Sequence, residues 1–133
     1  MKWKEQYSIG IQEIDQQHKK LLDFFSQLEH AIEGKAKWTD VILTVYELKN
    51  YATFHFEFEE ALLRMYGLAG LEDHAQEHQS FFRNFDELER RSPDYVVAED
   101  MMAFLENWLV HHILSTDRGY ATQLLAGAPL VVV

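Results

Sequence analysis

Apolar side chains recur with the 3.6-residue period of an α-helix in four segments of this chain, and short breaks separate the segments. The first predicted helix runs from about residue 11 to residue 32, and Gly34 marks its end, because glycine is common just past a helix C-terminus. The second predicted helix begins near Thr39 or Asp40, either of which is a favoured N-cap residue, and Gly67 closes it.

A third helix is predicted over about residues 71–90. A fourth begins at Ser92 and Pro93, a capping serine followed by proline at the first helical position, and a short helical segment over residues 120–125 follows. Strand signals are weak, so the pattern predicts an all-α, up-down-up-down four-helix bundle. One domain would span residues 1–133, with an irregular arm over 1–10, the bundle over 11–125 and a tail over 126–133. Trp3, Tyr7 and Ile9 of the arm can lie on the bundle.

Side chains that coordinate metals interrupt the apolar stripe of every predicted helix. On the second helix His55 and Glu59 are four residues apart, a spacing that projects both side chains to the same side. His74 and His78 repeat this spacing on the third helix. The stripes therefore predict two pairs of inward polar groups.

Single histidines complete this pattern. His18 lies on the apolar face of the first helix, and His112 lies on the inward stripe of the fourth. Its neighbour His111 shares a mixed, outer face, and His30 is likewise expected at the surface.

A lone histidine on an apolar face is more often a hydrogen-bonded core residue than a metal ligand, and one His-x-x-x-His pair is also weak evidence. Five inward histidines and an inward glutamate, spread over all four helices, are different. Burying so many polar groups without partners would cost several kcal/mol. A shared metal site is the simplest way to satisfy them.

Asp117 joins this set only if the fourth helix is distorted. It follows His112 by five residues, which places it about 140° away on an ideal helix. We therefore predict a π-bulge or a frayed turn between the two residues.

The ligand types limit what such a site can hold. The chain has no cysteine, and nitrogen and carboxylate ligands suit iron or manganese. Five histidines, two bridging carboxylates and a solvent-derived bridge would fill all but one position of two six-coordinate ions. An ion held by His74, His78 and His112 would be saturated. The other ion, with only His18 and His55, would keep the open position, where a small molecule can bind.

Composition narrows the possible partners. The chain has 133 residues, 47% of them hydrophobic, and a formal net charge of −10, which argues against nucleic acid as a partner. We see no signal peptide and no apolar run long enough to span a membrane, so a cytoplasmic location without membrane insertion is expected.

Four stretches together resemble the hemerythrin family, in particular its single-domain bacterial members. They are "IGIQEIDQQH" ending at His18, "HFEFEE" from His55, "HAQEH" from His74 and "HHILSTD" ending at Asp117. The resemblance covers essentially the whole chain, residues 3–125, and leaves the tail uncovered. Each stretch alone is a weak signal, but the combined pattern is highly specific.

The resemblance implies a non-heme di-iron centre, oxo- or hydroxo-bridged, that binds O2 reversibly for transport, storage or delivery. It implies O2 held as a hydroperoxide on the five-coordinate iron. All seven ligand positions of the family pattern are filled, by His18, His55, Glu59, His74, His78, His112 and Asp117. Helical neighbourhood suggests a wall for the O2 pocket, although each candidate could equally be plain core: Leu22, Phe25, Trp108, Leu109 and Ile113.

Other functions of the same centre stay open. It could serve an O2 or redox sensor, or an enzyme that handles peroxide, nitric oxide or iron repair. No positioned acid or base stands out beyond the ligands, so we expect no enzyme, although Tyr120 could reach the outer shell of the site. A protein that receives the O2 would be a further, unidentified partner.

Overall fold

Four long helices form the described part of the chain, which in this computed structural model comprises residues 2–68, 70–91 and 95–125. These residues contain no strand, and the predicted all-α fold is confirmed. The helices are α1 (Gln12–Glu33), α2 (Trp38–Met65), α3 (Leu71–Glu89) and α4 (Tyr95–His111), then a π-helical turn (His112–Asp117) and α5 (Arg118–Leu125).

Sequence neighbours pack side by side. Helix α1 contacts α2, α2 contacts α3, and α3 contacts α4, while contacts between α1 and α4 close the ring. Short connections between successive helices make this an up-down-up-down arrangement. No helix among the described residues combines the length and apolarity needed to cross a membrane.

The predicted start of α2 is wrong by a short distance. The helix begins at Trp38 with Lys37 as N-cap, so Thr39 and Asp40 lie inside its first turn. The side chain of Lys37 makes no capping hydrogen bond, and Asp40 instead places a negative charge near the positive end of the helix dipole.

The predicted end of α1 is confirmed, and the predicted start of the final helix differs by two residues. Gly34 is the C-cap of α1 as predicted, but its backbone stays right-handed, and Lys35 takes the left-handed conformation (φ 49°). The short final helix begins at Arg118, two residues before the predicted start. The predicted cap at Ser92 and Pro93 and the predicted tail over residues 126–133 lie outside the described residues.

A layer of polar side chains divides the buried interior along the bundle. On α1, His18 lies between Ile14, which belongs to a small apolar cluster at one end, and Leu22, which belongs to the main core. The same order holds on α2, where Glu59 lies between Phe56 of the main core and Leu63 of the small cluster. The two cores are thus separated by the predicted ligand residues.

The N-terminal arm packs on the bundle, as predicted, and it includes a single 3-10 turn over Glu5–Tyr7. Tyr7 and Ile9 are buried. The hydroxyl of Ser8 donates to Oδ2 of Asp15 at 2.5 Å, and the backbone N–H of Ile9 donates to Oδ1 at 2.9 Å. Asp15 therefore ties the arm to the first turn of α1.

Replacing Leu28 by alanine should destabilise the fold by about 2–5 kcal/mol, because the side chain is 0% exposed and its removal leaves a cavity in the main core. Leu43 on α2 is 56% exposed, and Leu43→Ala should change the free energy of unfolding by no more than about 0.5 kcal/mol. Urea denaturation of both variants measures the difference. Equal losses would contradict this placement of the core.

Candidate metal centre

Every predicted ligand residue is buried at the polar layer. His18 comes from α1, and the other residues come from α2, α3 and the two ends of the π-helical turn. None of the seven side chains is more than 5% exposed: His18, His55, Glu59, His74, His78, His112 and Asp117.

The ligand atoms form two groups, each compact enough for one ion. In each group one nitrogen or oxygen per residue lies within 4.8 Å of all the others. Glu59 and Asp117 belong to both groups. The first group adds three histidines, His74, His78 and His112, and the second adds two, His18 and His55. The two groups are thus joined by two shared carboxylates and differ in their number of histidines.

The π-helical turn is what places Asp117 in the site, and its presence confirms the predicted distortion. The turn runs from His112 to Asp117 and brings both of these end residues inward. Nε2 of His112 lies 2.9 Å from Oδ1 of Asp117. A regular helix would have pointed this carboxylate about 140° away.

The inner atoms approach one another without forming ordinary hydrogen bonds. Nε2 of His18 lies 2.9 Å from Oδ2 of Asp117, and Nε2 of His74 lies 3.2 Å from Oδ1. Yet these atoms, and both carboxylate oxygens of Glu59, have no hydrogen-bond partner of acceptable geometry among the described residues. Orphaned buried groups are costly unless another partner satisfies them, and lone pairs that converge on one space fit a cation. The donor set therefore fits metal ions.

The outer ring nitrogens of three histidines have acceptors that sequence reasoning missed. Nδ1 of His55 lies 2.6 Å from Oε1 of Gln17. Nδ1 of His78 lies 3.2 Å from Oε2 of Glu60. An oxygen acceptor keeps the proton on Nδ1 and leaves the Nε2 lone pair facing inward.

The third acceptor is Glu77, whose Oε1 lies 2.8 Å from Nδ1 of His112. Thr116, inside the π-helical turn, donates its hydroxyl to both oxygens of Glu77 at 2.8 and 2.9 Å. Glu77 thus links α3 to the turn that delivers Asp117.

The electrostatic balance of the cluster is that of a cation site. Burial acts to raise the pKa of Asp117, but contact with His112 and other imidazoles holds it well below its ordinary value. Burial and the charge of Asp117 act to raise the pKa of Glu59, yet His55 and His74 hold it at about 2. Both carboxylates therefore remain charged although they are fully buried.

These charges in turn act on the imidazoles. Burial acts to lower the pKa of His112, but Asp117 and Glu77 raise it to about 10. The pKa of His74 rises to about 9, since the two inner carboxylates outweigh its burial. Burial prevails at His78, whose pKa falls to about 3. A cation that binds here must displace the protons that the carboxylates hold on His74 and His112.

Aromatic faces cover one side of the cluster. Phe56 stacks on His78 with ring centroids 3.9 Å apart, and Trp108 stacks on His112 at 4.4 Å. Trp108 is a predicted wall residue. Phe56 is not among the predicted residues, and it follows His55 directly, about 100° further around the helix axis. Both rings shield the group of three histidines.

The predicted wall residues do not all share one cavity. Phe25, Trp108 and Leu109 line an internal cavity of about 10 Å³ whose other lining side chains are also apolar. Leu22 and Ile113 are buried in the main core beside it. A cavity of this size and lining excludes water.

The remaining predicted positions are simple. His30 and His111 are exposed, as expected. Tyr120 is buried, and its ring contacts that of His74 with centroids 5.3 Å apart. Burial, followed by the charges of Glu59 and Asp117, raises the pKa of Tyr120. Its phenol therefore stays protonated beside the site.

Comparisons with known proteins find a matching family and several relatives. The family described as Hemerythrin HHE cation binding domain matches residues 9–124. The bacteriohemerythrin of Clostridium acetobutylicum is 32% identical over 124 residues, which cover 89% of this chain and 96% of the relative. The bacteriohemerythrin of Pseudomonas aeruginosa is 32% identical over 119 residues, covering 89% and 77%. A hemerythrin-like protein of Naegleria gruberi is 26% identical over 118 residues, covering 89% and 88%.

Proposed function

Because this chain belongs to the hemerythrin family, we propose that its buried cluster holds two iron ions and binds O2 reversibly, for transport, storage or delivery. Membership of this family already ties the chain to metal binding and O2-related chemistry. The proposal adds the metal, the number of ions and the role of carrier. The proposed ligands are His74, His78 and His112 for one ion, His18 and His55 for the other, and Glu59 and Asp117 for both.

The observation that carries the proposal is the unequal division of histidines around two shared carboxylates. With three histidines, the two shared carboxylates and a solvent-derived bridge, an ion on that side would have no position left for a further ligand. With His18 and His55 alone on the other side, a position remains for a small molecule. A ferrous pair, when bound, supplies the electrons on which reversible O2 binding depends.

The chain itself orients the ligands and keeps water out. Three of the histidines donate a hydrogen bond from Nδ1, to Gln17, Glu60 and Glu77 respectively. These bonds orient each ring so that its Nε2 points inward. Phe25 and Leu109 contribute to an apolar interior that limits access of water and protons, which protects a bound state from loss. We assign no residue a role as catalytic acid or base.

O2 uptake by the anaerobically reduced, iron-loaded protein tests this function. We expect one O2 to be taken up for every two irons and to be released again under vacuum over several cycles. Continuous O2 consumption in the presence of a reductant would instead indicate an enzyme. Uptake without release would point to a redox sensor.

Replacing Leu109 by alanine should speed autoxidation several-fold, because a smaller side chain opens the apolar interior to water. The measurement is the rate at which the oxygenated spectrum decays in air. Leu28→Ala serves as the matched control. It removes the same atoms from the same core, but Leu28 lies about 15 Å from His18 along the axis of α1. Equal rates in the two variants would remove Leu109 from the wall.

A further inference from the structure

The outer partners of the histidines follow one arrangement around the bundle. Each partner is the sequence neighbour of a ligand on its own helix and reaches a histidine on the next helix. Gln17, beside His18 on α1, reaches α2; Glu60, beside Glu59, reaches α3; Glu77, beside His78, reaches the π-helical turn after α4. The partners thus form a second layer around the ligands.

This second layer is not equal on the two sides. In the group of three histidines, His78 and His112 each contact a carboxylate. In the group of two, His55 contacts the neutral amide of Gln17. Nδ1 of His18 is buried and has no hydrogen-bond partner in the part of the chain that the structure describes. Negative charge therefore stands behind one group only.

A carboxylate behind an imidazole makes that imidazole a stronger electron donor than a neutral amide does. Stronger donation and nearby negative charge favour the more positive oxidation state of a bound metal, and hydrogen bonding around a metal centre is one way that proteins set its potential. An ion bound by the group of three histidines should therefore be easier to oxidise than an ion bound by the group of two.

We propose that Glu60 and Glu77 act as positioning residues that lower the oxidation potential of one iron, the one bound by His74, His78 and His112. This iron is therefore the first of the pair to lose an electron. The iron bound by His18 and His55, which keeps the open position, then stays ferrous until a second, more positive potential is reached. This inference rests on the proposed di-iron function. In a mediated potentiometric titration each electron passes to a dye, so no O2 is involved.

Glu77 contacts two residues of the π-helical turn, His112 and Thr116. A purely structural role of Glu77 in holding this turn must therefore be separated from an electronic effect on the bound iron. Thr116→Val removes the hydroxyl that donates a hydrogen bond to Glu77, but it keeps the contact between the Glu77 carboxylate and His112. Glu57→Gln removes an exposed carboxylate from the same helix as Glu60. Neither control removes the charge behind a ligand.

The experiment is an anaerobic potentiometric titration of the iron-loaded protein, with the half-oxidised pair followed by electron paramagnetic resonance. Glu77→Gln should raise the first oxidation potential by at least about 59 mV, a tenfold change in that one-electron equilibrium, and leave the second nearly unchanged. Glu60→Gln should act in the same direction. Gln17→Glu should lower the second potential and leave the first nearly unchanged. All three changes narrow the gap between the two steps and so reduce the half-oxidised fraction.

Iron content is measured for every variant before titration. If Glu77→Gln loses an ion, the inference is still tested by Glu60→Gln and Gln17→Glu, because these two substitutions leave the π-helical turn intact. The inference is overturned if the carboxylate variants shift the first potential no more than Thr116→Val and Glu57→Gln do, or if Gln17→Glu moves the first potential instead of the second. Unaltered protein that loads fewer than two irons would refute the proposed function itself, a result that is visible before any variant is made.

Discussion

Glu59→Gln should lower the iron content from two ions per chain to at most one. Glu59 is 0% exposed and is shared by both ligand groups, so its loss affects both ions at once. The amide is neutral, and its nitrogen is a donor that cannot bind a cation. Without this charge the buried histidines also lose a partner, which costs about 3–5 kcal/mol when a buried pair is broken. Metal analysis after anaerobic loading and desalting gives the stoichiometry.

Glu57→Gln is the matched control for this variant. It makes the same chemical change two residues earlier on α2, but its side chain is exposed. Its iron content should equal that of the unaltered protein. If Glu59→Gln also retained two tightly held irons, Glu59 could not be a bridging ligand.

Removal of iron by a chelator should lower the melting temperature by about 12–24 °C. The cluster buries two charged carboxylates whose oxygens have no hydrogen-bond donor among the described residues. A ligand present at a thousand times its dissociation constant stabilises the folded state by about 4 kcal/mol, and each kcal/mol shifts the melting temperature of a chain this size by roughly 3–6 °C. Thermal unfolding followed by circular dichroism at 222 nm measures the shift.

The Glu59→Gln variant again provides the comparison. Because it holds at most one ion, its melting temperature should depend much less on the chelator. A melting temperature of the unaltered protein that is the same with and without chelator would mean that the metal contributes nothing to folding. That result would contradict the interpretation of the polar layer as a metal centre.

The inner part of the site could be predicted from the sequence because it follows from helix geometry. The four-residue spacing of His55 and Glu59 fixes their common direction whatever the neighbouring helices do. The five-residue spacing from His112 to Asp117 conflicts with a regular helix, and that conflict itself predicted the π-helical turn. Apolar periodicity was sufficient to order the four helices.

The second layer could not be predicted in this way. Gln17, Glu60 and Glu77 each lie one position from an inward ligand, so they point about 100° away from it around the helix axis. Their targets lie on the next helix, and whether they reach them depends on interhelical distance and rotation. On one sequence such residues are indistinguishable from the polar face of an amphipathic helix.

The ends of the helices are also difficult to predict from the sequence. Near the end of α2, Leu63 is buried at 1% exposure, whereas its neighbour Leu62 is only partly buried. Leu63 lies four residues after Glu59, and Leu62 three, so either spacing fits the same face of a helix. Packing against Ile14 and Tyr120 in the small apolar cluster accompanies the burial of Leu63. The cap preferences of Thr39 and Asp40 were likewise too weak to fix the start of α2.

The visible absorption spectrum of the reduced, iron-loaded protein is the most direct test of a di-iron O2 carrier. It should be recorded before exposure to air, in air, and after O2 has been removed. We predict a peroxide-to-iron charge-transfer band that develops in air and is lost on deoxygenation, with the starting spectrum restored. Direct and irreversible conversion to the oxidised spectrum would contradict a carrier and would assign the same ligands to a redox sensor or an enzyme.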